Sequence, residues 1–332
     1  MKIIKVPTGK IIVVEGEKGK LECLSLGDYG KARNVKADFL GISRELNGVP
    51  NGKVQPLSEK WVITISSQYG CSMKCKFCCV PKVGPGKNAS KEDLNRQIIT
   101  AIALESCHKT KRLNIHYARM GEPTFNPHVL EHASTLCDKL YGIISAETIH
   151  PVVSTMLPKL NRGLVTFLEH WCWLKNEIYS GEAGLQFSIN STSDKQREEM
   201  FSGNSLPLNE IAMIGNRLPM PNGRKYALNF ALADGYEIDA AKLAKLFDRN
   251  KFMVKITPMH NTSACIRNGI KTTGGYEYFT PYKQAEESLK EAGFDVLVFV
   301  PSTDEDEGLI TCGNAILSGT NPRVKHEELV IE

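Results

Sequence analysis

Nowhere do the 332 residues of this chain come near the roughly 20 consecutive apolar positions that cross a bilayer. The opening MKIIKVPTGKIIVVEGEKG lacks the apolar stretch of a secretory signal, so the expectation is a cytoplasmic protein without membrane contact. Lys and Arg are scattered and the net charge is only +4, with no basic block or tail. RNA or nucleotide binding is therefore permitted but not demanded. Internal repeats, low-complexity tracts and long linkers are also missing. What remains is an ordinary globular chain, expected to be monomeric and long enough for one large core or two modest ones.

Cysteine is the exception. Ten occur, and a reducing compartment argues against a disulfide framework, which leaves metal binding or catalysis. Four fall within nine residues of SQYGCSMKCKFCCVPKVGPG, Ser67 to Gly86.

After residue 90 the pattern alternates. KEDLNRQIITAIALESCHK, PHVLEHASTLCDKLYG, PKLNRGLVTFLEHW, DKQREEMF, LNEIAMIGNRL, EIDAAKLAKLFDRN and YKQAEESLKEAG have helical spacing, and a last helix is expected near GLITCGNAILSG. KRLNIHYARM, TIHPVVSTM, GLQFSINS, KYALNFALA, KFMVKITPM and FDVLVFVP read as strands; with WVITISS there are six or seven. Strands separated by helices of this length imply repeated βαβ units and a parallel sheet, open or curled into a barrel. Residues 1–60 read instead as a small β-rich N-terminal extension, 61–320 as the core and 321–332 as a tail.

The cysteine cluster follows the first core strand and precedes the first helix, where a parallel α/β sheet puts its active-site loops. Cys71, Cys75 and Cys78 have the spacing C-x3-C-x2-C, with Phe77 before the third. Three thiolates can hold three irons of a four-iron cluster and leave the fourth open to a small molecule. The plain alternative is structural zinc with Cys79 as fourth sulfur, but zinc usually pairs two separated ligand sets.

That spacing resembles the radical S-adenosylmethionine (SAM) superfamily, and the flanking ISSQYGCSMKCKFC is similar to the SSQxGCxxxCxFC of its RlmN/Cfr adenine methyltransferase family. RMGEPTFN (Arg119 to Asn126) resembles the family's GMGEPLLN and VSTMLP (Val153 to Pro158) its VSTSGxxP. LQFSINSTSDKQRE resembles LAxSLHAxxDxxR, VKITPMHNTSA resembles xNLIPxNPxxG, and TCGNAI resembles ACGQL. The segments run in family order across about residues 60 to 320.

The resemblance implies a partial (β/α)6 barrel in which Cys71, Cys75 and Cys78 hold a [4Fe-4S] cluster. The open iron chelates SAM, and an external electron donor of flavodoxin or ferredoxin type reduces the cluster. It implies that Gly121 and Glu122 meet the SAM amino group and that Ser154 and Ser188 contact its ribose and methionyl parts. Asn190 stands for the family's His of SLH, and His260 or Asn261 for the Asn of PxNP. Each has an ordinary reading too, since GEP by itself is a strand-ending turn and a serine at a strand end commonly caps the next helix. Cys312, in the position of the family's late CG, is expected to take a methyl group and deliver it to an adenine; sulfur is a good methyl acceptor and stabilises an adjacent radical. Its bland alternative is a buried helix cysteine. GKLECLSL resembles xxVETVLxP, which makes Glu22 a candidate proton acceptor, with an exposed strand glutamate as the alternative.

Several positions depart from the family. Thr64 stands where a second cysteine completes the relay, so another thiol, such as Cys79 or Cys265, must finish the reaction or the reaction differs. Few residues precede Cys71, leaving little room for the family's helical RNA-binding extension. Two further readings follow: hydrogen abstraction or rearrangement on a non-rRNA substrate without the two-cysteine relay, and a zinc-stabilised RNA-binding protein. His116, Tyr117, Arg119, Trp171 and Trp173 could stack on or steer a nucleic acid, although aromatics in an α/β core usually pack.

Overall fold

The computed structural model describes residues 1–29, 35–40, 54–275 and 280–331, so part of the expected N-terminal extension lies outside the described residues. Its centre is a sheet whose parallel strands follow one another in chain order: β4 (Trp61–Ile65), β7 (Lys109–Tyr117), β8 (Ser145–Thr155), β9 (Gly184–Ser188), β10 (Tyr226–Leu232), β11 (Phe252–Pro258) and β12 (Val296–Phe299). Helices α1 (Lys91–Ala103), α2 (His128–Leu140), α3 (Leu164–Trp173), α4 (Asp194–Met200), α5 (Leu208–Arg217), α6 (Ala240–Leu246), α7 (Ser263–Arg267) and α8 (Thr280–Glu291) fill the crossovers. Local signals start them where expected. Ser90 and Asp93 form a reciprocal capping box on α1, and Ser193, Asp239 and Thr262 cap α4, α6 and α7.

The N-terminal strands β1 (Lys2–Val6), β2 (Gly9–Gly16) and β3 (Gly19–Leu26) continue the same sheet, with β3 antiparallel to β4. The last strand, β13 (Glu327–Val330), pairs with β1. At the opposite edge Val35–Lys36 pairs with β12. Leu26 and Val35 thus lie on opposite flanks of the parallel strands, yet nine residues reach at most about 31 Å. Eight flat inter-strand gaps would need roughly 38 Å. The sheet must therefore curve.

Strand alternation gives the sheet two different faces. Ile65, Tyr117, Val153 and Leu185 share one row facing the helices, in a core that includes Trp61, Trp171, Phe187 and Phe252. The opposite face carries Thr64 and His116, then Ser154 and Gln186, then Ser188, Asn229 and Lys255. Two smaller clusters complete the interior. Met73, Cys75, Phe77, Met200, Phe201 and Met259 pack beneath the cysteine loop, and Ile4, Ile11 and Leu24 pack against Leu309 and Ile310.

The helix expected near GLITCGNAILSG does not form. Helix α9 (Thr303–Glu307) ends earlier, and only a single 3-10 turn, Ile316–Ser318, follows. Leu309, Gly313 and Gly319 all have positive φ, which breaks a right-handed helix at three places. Among the described residues no helix is long and apolar enough to cross a membrane.

Candidate active site

The cysteine loop is a side branch of β4. The chain leaves Ile65, forms a short hairpin of β5 (Gln68–Gly70) and β6 (Pro85–Asn88), and holds Cys71 to Gly84 as its loop, closed by the Cys71 N–H donating to the Gly84 carbonyl at 3.0 Å. Gly70 has φ +79°, and an added Cβ would stand 2.1 Å from the Gly84 oxygen, so only glycine permits the closure. Burial pushes the Cys71 thiol up to about 11 and raises Cys75 and Cys78 as well. Backbone N–H groups oppose this: those of Met73 and Gly121 at Cys71, its own at Cys75, and that of Val80 at Cys78. Cys75 is buried and Cys71 and Cys78 are half-buried, so the three thiols share a poorly solvated setting that backbone amides partly offset. Among the described residues no three His, Cys, Asp or Glu side chains converge as ligands of a single ion would. Cys79 is no fourth member of the group: it is fully buried, and its sulfur lies 3.1 Å from Ser263 Oγ.

Gly121 and Glu122 lie just past the end of β7. Gly121 has φ +98°, and a Cβ there would strike Gln68 at 2.6 Å, while Gln68 Oε1 accepts the Glu122 N–H at 2.9 Å. The Glu122 carboxylate turns inward. It accepts from Thr124 Oγ1 at 2.8 Å and from the Met156 N–H at 2.8 Å, tying this turn to the end of β8. Burial raises its pKa and these donors oppose the rise. Both oxygens of Glu122 thus accept hydrogen bonds from protein, which fixes the carboxylate's orientation beside the turn.

Ser154 and Ser188 stand on the polar face at the carboxyl ends of β8 and β9, and neither hydroxyl is hydrogen-bonded among the described residues. Beside Ser188, Asn229 buries its Oδ1 without a partner. Sequence reasoning missed Asn229 because KYALNFALA reads as a plain strand. Asn190 has φ +60° and donates no side-chain group outward; its Oδ1 accepts the Ala231 N–H at 3.0 Å and joins β9 to β10. Arg197, the arginine of the DxxR likeness, is buried beneath, donating to the Ser188 carbonyl and to Ser205 Oγ, and burial lowers its pKa to about 10.

The C-terminal segment crosses the polar face and brings Cys312 to the cysteine loop. Cys79 N–H donates to the Gly313 carbonyl at 2.8 Å, Thr262 Oγ1 donates to the Phe77 carbonyl at 2.7 Å, and a Cβ added at Gly313, next to Cys312, would lie 3.8 Å from the Cys78 Cα. Cys312 itself is exposed, unlike the buried helix cysteine of the bland reading. His260 and Asn261 meet the same segment through Asp306: the Asn261 N–H donates to Asp306 Oδ2 at 3.0 Å, Thr311 Oγ1 to Oδ1 at 2.9 Å, and His260 Nδ1 lies 3.7 Å from Oδ1. Burial lowers the His260 pKa and Asp306 opposes the shift. Asp306, hidden in the acidic run TDEDE, carried no sequence signal that set it apart.

Glu22 is fully buried, not an exposed strand residue. Its Oε1 accepts from Arg119, with the Nε contact at 2.7 Å, and its Oε2 accepts the Leu317 N–H at 3.1 Å. Thr64 is buried on β4, opposite His116 and Leu24. Tyr117 and Trp171 are core residues in edge-to-face contact, and Trp173 is half exposed on a helix away from the cysteine loop.

The chain is similar to the dual-specificity RNA methyltransferase RlmN of Sorangium cellulosum, at 25% identity over 266 residues, 79% of this chain and 63% of that protein. It is also similar to RlmN of Desulfosudis oleivorans (27% over 213 residues, 62% and 53%). Likewise it matches the ribosomal RNA large subunit methyltransferase Cfr of Clostridium botulinum (25% over 245 residues, 70% and 64%). It spans less than two thirds of the length of these relatives. Among solved structures, a radical SAM methyltransferase from Sphaerobacter thermophilus shares the fold, with a TM-score of 0.62 at 18% identity over 92% of this chain and 77% of that one. No protein-family profile matches the chain.

Proposed function

We propose, from the chain's similarity to RlmN and Cfr, that it is a radical SAM enzyme that methylates an sp2 carbon of adenine in RNA, with Cys312 as methyl carrier. The observation that carries the reading is the approach of the exposed Cys312 segment to a loop holding the buried Cys75 and the half-buried Cys71 and Cys78, with the Cys79 N–H donating to the Gly313 carbonyl at 2.8 Å. A curved sheet with strands in chain order supports the partial (β/α)6 barrel. Cys71, Cys75 and Cys78 would hold the [4Fe-4S] cluster.

When bound, the cluster and SAM supply a methyl group and a 5'-deoxyadenosyl radical. The rest is the work of this chain. The Gly121 turn lets the backbone approach the SAM amino group, with Glu122 bracing that turn from behind. The free hydroxyls of Ser154 and Ser188 and the unpartnered Asn229 carbonyl offer hydrogen bonds to a polar molecule on that face. Asn190, His260 and Asn261 support the wall around it, the last two through Asp306. The apolar cluster of Met73, Phe77, Phe201 and Met259 excludes water from the loop. An external flavodoxin- or ferredoxin-type donor, a cytoplasmic setting and a monomeric state complete the proposal.

The test is anaerobic turnover of the iron-reconstituted protein with SAM and RNA, quantifying S-adenosylhomocysteine and 5'-deoxyadenosine and mapping Cys312 by peptide mass. Both products and a methylated Cys312 are expected. Formation of 5'-deoxyadenosine alone, with Cys312 unmodified, would instead favour hydrogen abstraction without the relay.

A further inference from the structure

Arg119 is the first residue of RMGEPTFN and stands where the family motif GMGEPLLN has glycine. Arg119 is buried, and among the described residues its guanidinium pairs with one carboxylate, that of the fully buried Glu22. We infer that Glu22 and Arg119 form a positioning pair that clamps the Cys312 segment over the cysteine loop, an inference that rests on the reading of Cys312 as methyl carrier.

Three polymer stretches meet at this pair. Glu22 comes from β3, Arg119 from the turn after β7, and between them they grip both ends of the stretch carrying the thiol: Arg119 Nη1 donates to the Thr311 carbonyl at 3.4 Å, and the Leu317 N–H donates to Glu22 Oε2 at 3.1 Å. Cys312 lies one residue beyond the first grip and five before the second. The stretch has no regular structure of its own to hold it, since Gly313 (φ +84°) and the single turn at Ile316–Ser318 are all that lie between. A second set of contacts, from Asp306 to Thr311 and from Cys79 to Gly313, fixes the side facing the cysteine loop. The ion pair fixes the other. Both Glu22 oxygens are engaged in this work, one by Arg119 and one by the Leu317 amide, and the Glu22 backbone carbonyl accepts from Ser66 Oγ at 2.5 Å. A planar guanidinium suits the task because it donates to a carboxylate and a carbonyl at once from one rigid group.

The decisive experiment compares wild type with E22Q/R119M, which removes both charges together and leaves neither buried alone. Amide hydrogen exchange, read by mass spectrometry, should speed at least tenfold in peptides covering 311–318 and 77–83, with helix α1 unchanged. In the reconstituted holoenzyme, kcat for Cys312 methylation should fall at least tenfold with the KM for SAM unchanged. Unaltered exchange at 311–318 overturns the clamp. Should the double variant not fold, R119K keeps the charge without the fork, and it should still quicken exchange at 311–318 several-fold; no change there also overturns the inference. Faster exchange in a protein whose wild-type Cys312 is never methylated leaves the clamp standing and removes the methyl-carrier reading alone.

Discussion

The two faces of the parallel sheet are built from the same strands and do opposite work. On the helix side Ile65, Tyr117, Val153 and Leu185 form an unbroken apolar row, continuous with Trp171. One residue away along each strand, the chain presents Thr64, His116, Ser154 and Gln186 to the other side, with Ser188 two places beyond Gln186. The first face is where burial of apolar area, at about 25 cal/mol per Å², stabilises the fold. The second presents polar side chains, among them the hydroxyls of Ser154 and Ser188. Because the side-chain period is two, a register slip of one residue would exchange the two roles, so the apolar row also guarantees the placement of the polar one.

The sharpest break of the polar side is Cys75→Ser. The reconstituted protein should lose its iron–sulfur absorption and all 5'-deoxyadenosine formation, while far-ultraviolet circular dichroism stays native. On the helix side, Trp171→Ala removes a fully buried indole that donates to the Gly184 carbonyl at 3.0 Å. It should cost about 3–5 kcal/mol by urea unfolding, with iron binding intact in whatever fraction folds.

A titration reaches the same side without changing its packing. His132 bonds Tyr117 Oη through Nδ1 at 2.7 Å, its Nε2 is buried unpartnered, and burial lowers its pKa from 6.5 to about 4. Between those values the unfolded chain takes up a proton that the folded one refuses, so stability falls as pH drops from 6.5 toward 4. About 2 kcal/mol should be lost between pH 7 and 5, and His132→Gln should remove that part of the slope. A wild type whose slope matches the variant's would contradict this. The smallest effect on folding belongs to Ser154→Ala and Ser188→Ala, each within about 0.5 kcal/mol of wild type in stability. Each should nonetheless weaken SAM binding roughly tenfold, about 1.4 kcal/mol, measured by titration calorimetry.

Much of this division could be read from the chain. The alternation of helices and strands placed β4 and β7 to β12, and the C-x3-C-x2-C spacing with its neighbours located the loop, because both are local patterns. Three features were not legible, each for a physical reason. The segment around Cys312 has helical-looking composition, but the positive φ of Leu309 and Gly313 is imposed by its packing on Ile4 and Phe77, which no local pattern records. Glu22 and Arg119 are 97 residues apart, and the pairing depends on a sheet that puts their strands two places apart. The bonds that orient Glu122, from the Met156 N–H and Thr124, join two different strand ends, and the Met156 partner lies 34 residues away, beyond any local pattern.

The contact between Glu22 and the Leu317 amide spans 295 residues, and that between Arg119 and Thr311 spans 192. Such contacts are among the last the chain can make, followed only by those of the extreme C-terminal residues. At synthesis rates of 5–20 residues per second, roughly 10–40 s separate the emergence of Glu122 from that of Leu317. Throughout that interval the cysteine loop and the strands that support it already exist as polymer, while the segment that roofs them does not. The time order of synthesis therefore puts the three thiols of the loop in place before the segment carrying Cys312 has been made.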